Sequence, residues 1–330
     1  MTNSLRFLRN PDYNFGLGLA ALGRPGYINL GHGEDIDDHS MQGMRENAHR
    51  VLDAAWKAGI RYFDAARSYG KAEEFLGNWL TERNIDPESV DIGSKWGYTY
   101  TANWQIKAEH HEVKEHSLNV LNRQWQETQG NLGFHLDLYQ IHSATLESGV
   151  LDNGEVLSRL AELKSQGIAI GLTVSGANQV EVIEKAMPIT VDGVRLFDSV
   201  QATWNLLEPS AANTLAAAHE SGLAVIVKEA LANGRLTPGN ANNVDFAGQY
   251  HLLQEEAMRL NTTVDALALA AVLRQTWADM VLSGAANIDH LASNIRARHV
   301  EFDDEASAAL VSLVEPPEQY WQTRSNLDWN

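Results

Sequence analysis

The sequence predicts an α/β protein that folds as one (β/α)8 TIM barrel, a single domain spanning residues 1–330. Two observations favour this class: a repeated unit in which a helix ends and a strand begins, and eight strand-like segments that alternate with helical ones. In each copy of the unit a glycine (Gly59, Gly167 or Gly222) takes the place expected for the left-handed residue that ends a helix. The copies are AAWKAGIRYFDA (54–65), AELKSQGIAIGLT (161–173) and AAAHESGLAVIVK (216–228).

The other strands have the same character. Barrel strands are covered on both faces, so each should be a nearly continuous apolar run. Such runs are FGLGL (15–19), SVDIGSK (89–95), HLDLYQIH (135–142), FDSVQ (197–201) and DMVLSG (279–284). Helices are predicted between them, for example where Val156, Leu157, Leu160 and Leu163 fall at helical spacing. Their ranges are 46–58, 72–83, 112–127, 153–166, 176–186, 210–221, 249–274 and 287–297.

A doubly wound sheet is the structural alternative. It ranks lower because no G-x-G-x-x-G opens a helix after the first strand; the nearest run, GLGLAALG at 16–23, fails the spacing. Residues 32–40 form a predicted acidic surface loop, and residues 234–248 form a glycine-rich segment that suits a flap over a site.

Composition excludes several functions. The formal net charge of −18 repels nucleic acid and anionic lipid, so neither is an expected partner. The chain has no cysteine, which excludes disulfides and thiolate chemistry. No apolar run is long enough to span a membrane and no secretory leader is visible, so we expect a cytoplasmic protein. The sequence leaves the oligomeric state open, a homo-oligomer included.

Chemically active side chains stand at the predicted carboxyl ends of strands, where barrel enzymes place their active sites. Asp64, Lys95 and His142 each end a strand, and Tyr69 follows in the next loop. A nearby ammonium lowers the pKa of a phenol, so Lys95 is expected to activate Tyr69 while Asp64 holds Lys95 by an ion pair. With His142 binding the substrate oxygen, the set suits reversible proton transfer to a carbonyl oxygen, which requires a hydride donor.

Each of these residues also has a structural interpretation. Asp64 and Lys95 could form a buried pair for stability alone, Tyr69 could be ordinary packing, and a single histidine is more often a satisfied core residue than a catalyst. Their joint position at the strand ends favours the catalytic interpretation.

At these residues the sequence resembles the aldo-keto reductase family, over nearly the whole chain. GIRYFDAARSYGKAEEFLGNWL (59–80) is similar to the stretch around the family's catalytic Asp and Tyr. SKWG (94–97) and DLYQIH (137–142) are similar to the segments that carry its lysine and histidine. The resemblance implies that Tyr69 is the general acid for carbonyl reduction by a nicotinamide dinucleotide, tuned by Lys95 and Asp64, with His142 orienting the carbonyl.

The resemblance also implies a set of cofactor-binding residues. Thr173 and Gln201 would hold the carboxamide, and Trp204 would stack on nicotinamide unless it is a core aromatic. VKEALANGRL (227–236) is similar to the loop along the pyrophosphate, and LSGAANIDHLASN (282–294) to the adenosine segment. The residues carried over from these two segments are Lys228, Leu231, Gly234, Leu236, Ser283, Gly284 and Asn294.

The choice between the two dinucleotides stays open at this level. NADP(H) is the family default, but Gly284, Ala286 and His290 stand where members that prefer NADPH often have a cation. A 2′-phosphate without a cation loses its charge-assisted bonds, so NAD(H) is the alternative unless Arg235, Arg296 or Arg298 reaches the site.

The substrate is predicted to be a small carbonyl compound or the corresponding alcohol or sugar. Trp96, Tyr98 and Ser143 follow catalytic strand ends and should face it, with Tyr27, Tyr320 and Trp321 as further wall residues. No metal site is predicted: His110, His111 and His116 lack ligand spacing and are expected at exposed helix positions.

Two other functions remain as alternatives. One is a regulatory subunit resembling potassium-channel β subunits, which would bind the cofactor without serving turnover. The other is an aldolase that uses Lys95 or Lys228 as a Schiff-base nucleophile, which would leave Gln201 and Trp204 unexplained.

Overall fold

Eight parallel strands close into a barrel in the computed structural model, which describes residues 5–330. Numbered in chain order as β1 to β8, each strand pairs with the next, and β1 pairs with both β2 and β8, so the sheet has no free edge. This confirms the predicted (β/α)8 class and all eight strand segments. The strands are β1 Phe15–Gly18, β2 Tyr62–Asp64, β3 Asp91–Trp96, β4 Leu136–Ala144, β5 Ala169–Val174, β6 Ser199–Thr203, β7 Ala224–Lys228 and β8 Met280–Ser283.

Helices surround the barrel. A glycine in the left-handed region ends the turn before β2, β5 and β7, with φ of 86° at Gly59, 98° at Gly167 and 95° at Gly222, as the repeat predicts. In the part of the chain described, no helix is both long and apolar enough to cross a membrane. The helices are His32–Asp35, Met41–Lys57, Ala72–Glu82, Leu118–Leu132, Gly154–Ser165, Gln179–Ala186, Ala212–Glu220, Ala247–Arg259, Val264–Leu273, Ile288–Ile295, Asp304–Leu310 and Pro317–Ser325.

The prediction of a helix over 112–127 is wrong at its start. Residues Glu112–Lys114 form a strand that pairs antiparallel with Tyr98–Tyr100, making a hairpin that stands beside the barrel mouth after β3. The helix begins at Leu118, where the Ser117 hydroxyl accepts a hydrogen bond from the Val120 amide at 3.3 Å. His111 and His116 are therefore not exposed helix positions; both side chains are largely buried.

The predicted helix over 249–274 is two helices. The first ends near Asn261, whose φ of 51° is left-handed, and the second begins after Thr263. Two helices near the carboxyl-terminal end of the sequence, Asp304–Leu310 and Pro317–Ser325, were not predicted.

The core has one large layer between the barrel and the helices and a smaller cluster inside the barrel. The inner cluster includes Leu8, Tyr62, Leu138 and Ile226, all fully buried. The amides of residues 6–8 donate to the Asp91 carboxylate at 2.7 to 3.1 Å, which fixes this segment near the start of β3. The amino-terminal end of the barrel is thereby filled, and the opposite end is left for a cavity.

Candidate active site

A cavity of about 820 Å³ opens at the carboxyl ends of the strands. Its wall includes Gly18, Asp64, His142, Lys228 and Ser283, each at or next to the carboxyl end of a strand. The loops after β1, β4, β7 and β8, the 98–114 hairpin and the last residues of the chain supply most of the rest of the lining. This is the end at which barrel enzymes bind substrates.

A buried ion pair lies at the floor of the cavity. The Lys95 ammonium donates to Oδ2 of Asp64, and the two side chains are only 1% and 2% exposed. The same ammonium donates to the Ala65 carbonyl at 3.1 Å. Because β2 and β3 are adjacent parallel strands, their ends bring these two charges together, as the sequence predicted.

The second oxygen of Asp64 is held by three side-chain donors. Oδ1 accepts from the Tyr62 hydroxyl at 3.2 Å and from the amides of Gln140 and Gln201 at 3.1 Å each. Gly93 leaves room for this arrangement, since a Cβ there would stand 2.4 Å from the Tyr62 hydroxyl. The carboxylate is therefore fixed at both oxygens, which suits a buried charge. Sequence reasoning missed Tyr62 and Gln140.

Tyr69 lies directly beside this pair. Its ring centroid is 4.9 Å from the Lys95 ammonium, and its ring meets His142 edge-on at 5.5 Å and 86°. Burial, with the Asp64 charge second, raises the pKa of the Tyr69 phenol above its ordinary value. The expected net lowering of this pKa is not found, because burial of the phenol outweighs the stabilisation that a nearby ammonium gives to the phenolate. Tyr69 is consequently a protonated phenol near neutral pH.

His142 is a neutral imidazole in this setting. Burial, followed by the positive charges of Lys95 and Arg24, lowers its pKa well below the ordinary value. Its Nδ1 lies 3.4 Å from the Ser68 hydroxyl, and its ring lines the cavity. A neutral histidine at this place can donate one hydrogen bond to a substrate oxygen without carrying a charge.

Arg24 is an active-site residue that sequence reasoning missed. It is 3% exposed, and its Nη1 donates to the Ser68 carbonyl at 3.0 Å and to Glu112 at 2.9 Å. Its guanidinium carbon lies 5.3 Å from the Tyr69 ring centroid and 4.7 Å from that of Trp329. Arg24 thus connects the loop after β1, the hairpin and the end of the chain around the phenol.

The hairpin forms the wall beside His142. The Tyr98 and His142 ring centroids are 4.8 Å apart, and the His116 Nε2 contacts the His142 carbonyl at 2.9 Å. Glu112 and Lys114 both line the cavity because alternate residues of a strand point to the same side. His116 supports this wall, and His111 lies in the turn of the hairpin. Residues 5–330 contain no cluster of three or more His, Asp and Glu side chains placed to hold a metal ion.

A second charged group lies at the end of β7. The Arg324 guanidinium donates to both oxygens of the Glu229 carboxylate at 2.6 to 3.2 Å, and the Lys228 ammonium lies 3.8 Å from the same carboxylate. These cations lower the pKa of Glu229 to about 2, against the effect of its burial. Glu229 has a φ of 54°, and Ser143, which follows His142, has a φ of 50°, left-handed values that non-glycine residues adopt at a cost.

The far end of the cavity is polar and acidic. With its amide oriented to satisfy both atoms, Asn294 accepts from the Ser283 hydroxyl at 2.9 Å and donates to Asp265 Oδ2 at 3.0 Å. Asp265 is 5% exposed, lines the cavity and keeps an Oδ1 with no partner among the described residues. Asp35 pairs with His290 at 3.5 Å at the same end.

Most of the predicted site residues meet at this cavity. Four do not line it: Lys95, which lies beneath Asp64, and Trp96, Trp204 and Leu236. The predicted residues on the wall are Asp64, Tyr69, Tyr98, His142, Ser143, Thr173, Gln201, Lys228, Leu231, Gly234, Ser283, Gly284 and Asn294.

The other three predicted residues that do not line the cavity are packed in the protein interior. Trp204 packs edge-on against Trp277 at 5.9 Å, so it occupies the core position that was its alternative assignment. Trp96 is fully buried against His116, and Leu236 is buried in a third hydrophobic cluster, together with Leu207 and Phe246. Of the further wall residues predicted, Tyr27 lines the cavity, whereas Tyr320 and Trp321 are buried behind it.

A closed (β/α)8 barrel with charged side chains around a cavity at the carboxyl ends of its strands is the architecture in which barrel enzymes place their active sites. The chain belongs to the aldo/keto reductase family, whose family model matches residues 28–315. It is 25% identical to the aldo-keto reductase str7 of Strobilurus tenacellus over 93% of this chain and 90% of that protein. It is 24% identical to the NADH-specific methylglyoxal reductase of Escherichia coli over 80% and 86%. The fold matches the holo form of aldo-keto reductase AKR11C1 from Bacillus halodurans with a TM-score of 0.68, 20% identity and coverage of 93% and 95%.

Proposed function

We propose that this protein reduces small aldehydes or ketones with a nicotinamide dinucleotide, or oxidises the corresponding alcohols, and that Tyr69 transfers the proton. The observation that carries the proposal is the buried Asp64–Lys95 pair directly beneath Tyr69 and His142 at the wall of an open cavity. An ion pair that served only to stabilise the fold would not require a phenol and an imidazole beside it at the wall of a cavity.

A bound nicotinamide dinucleotide would supply the hydride. The neutral imidazole of His142 donates a hydrogen bond to the carbonyl oxygen and aligns it. Tyr69, which holds its proton at neutral pH, gives that proton to the same oxygen as negative charge develops there. The Lys95 ammonium beside the ring stabilises the phenolate that results, and Asp64 keeps the ammonium in place.

The residues present fit a dinucleotide. The cavity extends from the hairpin to the loop after β8. Its lining includes buried polar atoms that have no hydrogen-bond partner within residues 5–330, among them Asp265 Oδ1 and the Asn233 side-chain oxygen. Such atoms are costly unless a ligand satisfies them. Leu231, Gly234, Ser283, Gly284 and Asn294 would hold the nucleotide portion, and Thr173 and Gln201 would lie near the reactive ring.

We further propose that NADH is preferred over NADPH. Glu34, Asp35, Asp265 and Asp289 all line the far end of the cavity, where His290 is the only cation-forming side chain among the described lining residues. None of the three arginines considered from the sequence lines the cavity; Arg235 is held in a salt bridge by Glu315. A 2′-phosphate would meet carboxylates there, whereas a 2′-hydroxyl can donate to one of them.

The test combines binding and turnover. Fluorescence titration of the purified protein should give a dissociation constant for NADH at least about tenfold below that for NADPH, since one charge-assisted contact is worth that much. Oxidation of NADH with a panel of aldehydes and ketones should then show steady-state turnover. Tight binding without turnover of any carbonyl would favour the regulatory alternative, and no binding of either dinucleotide would refute the proposal.

A further inference from the structure

The part of the cavity around Tyr69 and His142 contains more positive than negative charge. Four basic side chains line the wall around the reaction centre, but only two carboxylates other than Asp64 face them. Glu112 is taken by Arg24 at 2.9 Å, and both oxygens of Glu229 are taken by Arg324. The ammonium groups of Lys114 and Lys228 are left in surplus. Buried or half-buried charges are normally paired, so a surplus at a ligand cavity indicates a missing anion.

Lys114 is the clearer of the two. It stands opposite Tyr98 in the hairpin, with its ammonium 5.9 Å from the Tyr98 ring centroid. Its one hydrogen bond within the described chain is to the Thr145 hydroxyl at 3.3 Å. Glu147 exerts an electrostatic effect on it but is fully exposed and forms no ion pair with it. Burial lowers the pKa of Lys114, as expected for a cation without a close counterion.

Lys228 faces it from the end of β7. Its ammonium donates to the hydroxyls of Thr203 at 2.9 Å and Ser175 at 3.2 Å. The nearest carboxylate, Glu229 at 3.8 Å, is already gripped by Arg324. Burial lowers the pKa of Lys228 to about 8, so the amine still carries its charge at neutral pH.

Three hydroxyls near His142, which we call the hydroxyl row, contact one of the two lysines or each other. Thr145 bonds Lys114, Ser175 bonds Lys228, and the Ser143 hydroxyl lies 3.3 Å from that of Ser175. All three hydroxyls line the cavity, and Ser143 directly follows His142. Hydroxyl and ammonium donors on one wall form the surroundings that bind carboxylate or phosphate oxygens.

We propose that the substrate carries an anionic group, a carboxylate or a phosphate, which binds Lys114 and this hydroxyl row while its carbonyl lies between Tyr69 and His142. The inference rests on the proposed carbonyl reduction. Lys114 is the principal anchor because it stands on the hairpin side of His142, away from the acidic nucleotide end. In a protein of net charge −18, such local cations also offset the general repulsion of an anionic substrate.

The experiment compares related carbonyl compounds with and without an anionic group. Butanal is paired with 4-oxobutanoate, and glyceraldehyde with glyceraldehyde 3-phosphate, and kcat/KM is measured for each with NADH. We expect the charged member of at least one pair to be favoured by about 10- to 100-fold, the value of one or two charge-assisted hydrogen bonds. The pair with the larger ratio identifies carboxylate or phosphate as the anion.

Variants then assign the effect to the site. Lys114→Met should reduce the charged-to-neutral ratio to within a few fold of one, and Lys114→Arg should keep part of it. Lys107→Met is the matched control, because it removes the same charge from an exposed position in the same hairpin and should leave the ratio unchanged. Equal kcat/KM for both members of each pair, or a preference that survives Lys114→Met, would overturn the proposal.

Direct binding separates this inference from the reaction itself. Calorimetry with butanoate and with inorganic phosphate needs no turnover, and at least one should bind the wild-type protein and bind Lys114→Met about tenfold more weakly. Turnover of neutral aldehydes without anion preference or anion binding would reject the subsite and keep the proposed function. Binding of the anion by a protein that reduces no carbonyl would keep the subsite and reject the reaction.

Discussion

Replacement of Lys95 by Met should destabilise the protein by about 3 kcal/mol, because it leaves the Asp64 carboxylate buried without its counterion. Removing one partner of a buried ion pair costs roughly 3–5 kcal/mol. The lower end applies here, since Oδ1 of Asp64 keeps three side-chain donors at 3.1 to 3.2 Å. Met matches the length of the aliphatic part of Lys95, so little of the cost should come from a cavity.

The assay is equilibrium urea unfolding of the wild-type protein, Lys95→Met and the double variant Asp64→Asn/Lys95→Met. The double variant removes the stranded charge while keeping the shape, so it should recover most of the loss. Activity should be lost in both variants, because both lack the Lys95 ammonium that stabilises the Tyr69 phenolate, whether or not stability is recovered. A Lys95→Met protein as stable as the wild type would refute the claim that Asp64 is a buried, charge-dependent group.

Two further predictions concern the charges at the end of β7. Arg324→Met should lower the free energy of unfolding, measured in urea, by up to about 3 kcal/mol. This is at or below the usual lower limit for a broken buried ion pair, because Lys228 remains near Glu229. Adding Glu229→Gln should restore much of the lost stability, and equal stability of the wild type and the single variant would contradict this prediction. Affinity for an anionic substrate should fall as pH rises through about 8, where Lys228 loses its charge. Because this pKa is lowered from 10.5 in the folded protein, the unfolded chain binds more protons between about pH 8 and 10.5. The buried charge of Lys228 therefore destabilises the folded state below about pH 8, and this destabilisation disappears as the pH rises to about 10.5. An affinity for the anionic substrate that does not change with pH would count against a role of Lys228 in binding it.

The barrel and its floor were predictable because the signals are local or follow from the closed topology. Glycines after helices mark the left-handed turns at Gly59, Gly167 and Gly222, and apolar runs mark the strands. Once parallel strands are adjacent, their last residues must share one end, so Asp64 and Lys95 meet whatever their distance in sequence.

The helix boundaries that failed had local signals of their own. Ser117 caps the helix after the hairpin, and the alternation of aromatic and β-branched residues in YTYT (98–101) is typical of a strand. Thr262 and Thr263, after a left-handed Asn261, mark the break that divides residues 249–274. Tandem prolines at 316 and 317 mark the start of a helix near the end of the chain.

The missed site residues had no such signal. Arg24, Lys114 and Arg324 reach the cavity from loops, a hairpin and a distant helix, and their partners are 88, 31 and 95 residues away in sequence. Likewise, nothing in the sequence near Trp204 shows that its ring turns to Trp277 instead of the cavity. Such contacts depend on how the loops pack, which residue spacing does not determine.

The most direct test of the account is the Tyr69→Phe variant, because every proposed step depends on the phenol proton. The variant keeps the ring that contacts His142 and Lys95 and removes only the hydroxyl. We expect its dissociation constant for NADH to stay within about twofold of the wild-type value while kcat falls by roughly 10²–10⁴ or more, the contribution of a general acid. A variant that binds NADH and reduces carbonyls at the wild-type rate would contradict the assignment of Tyr69 as the proton donor.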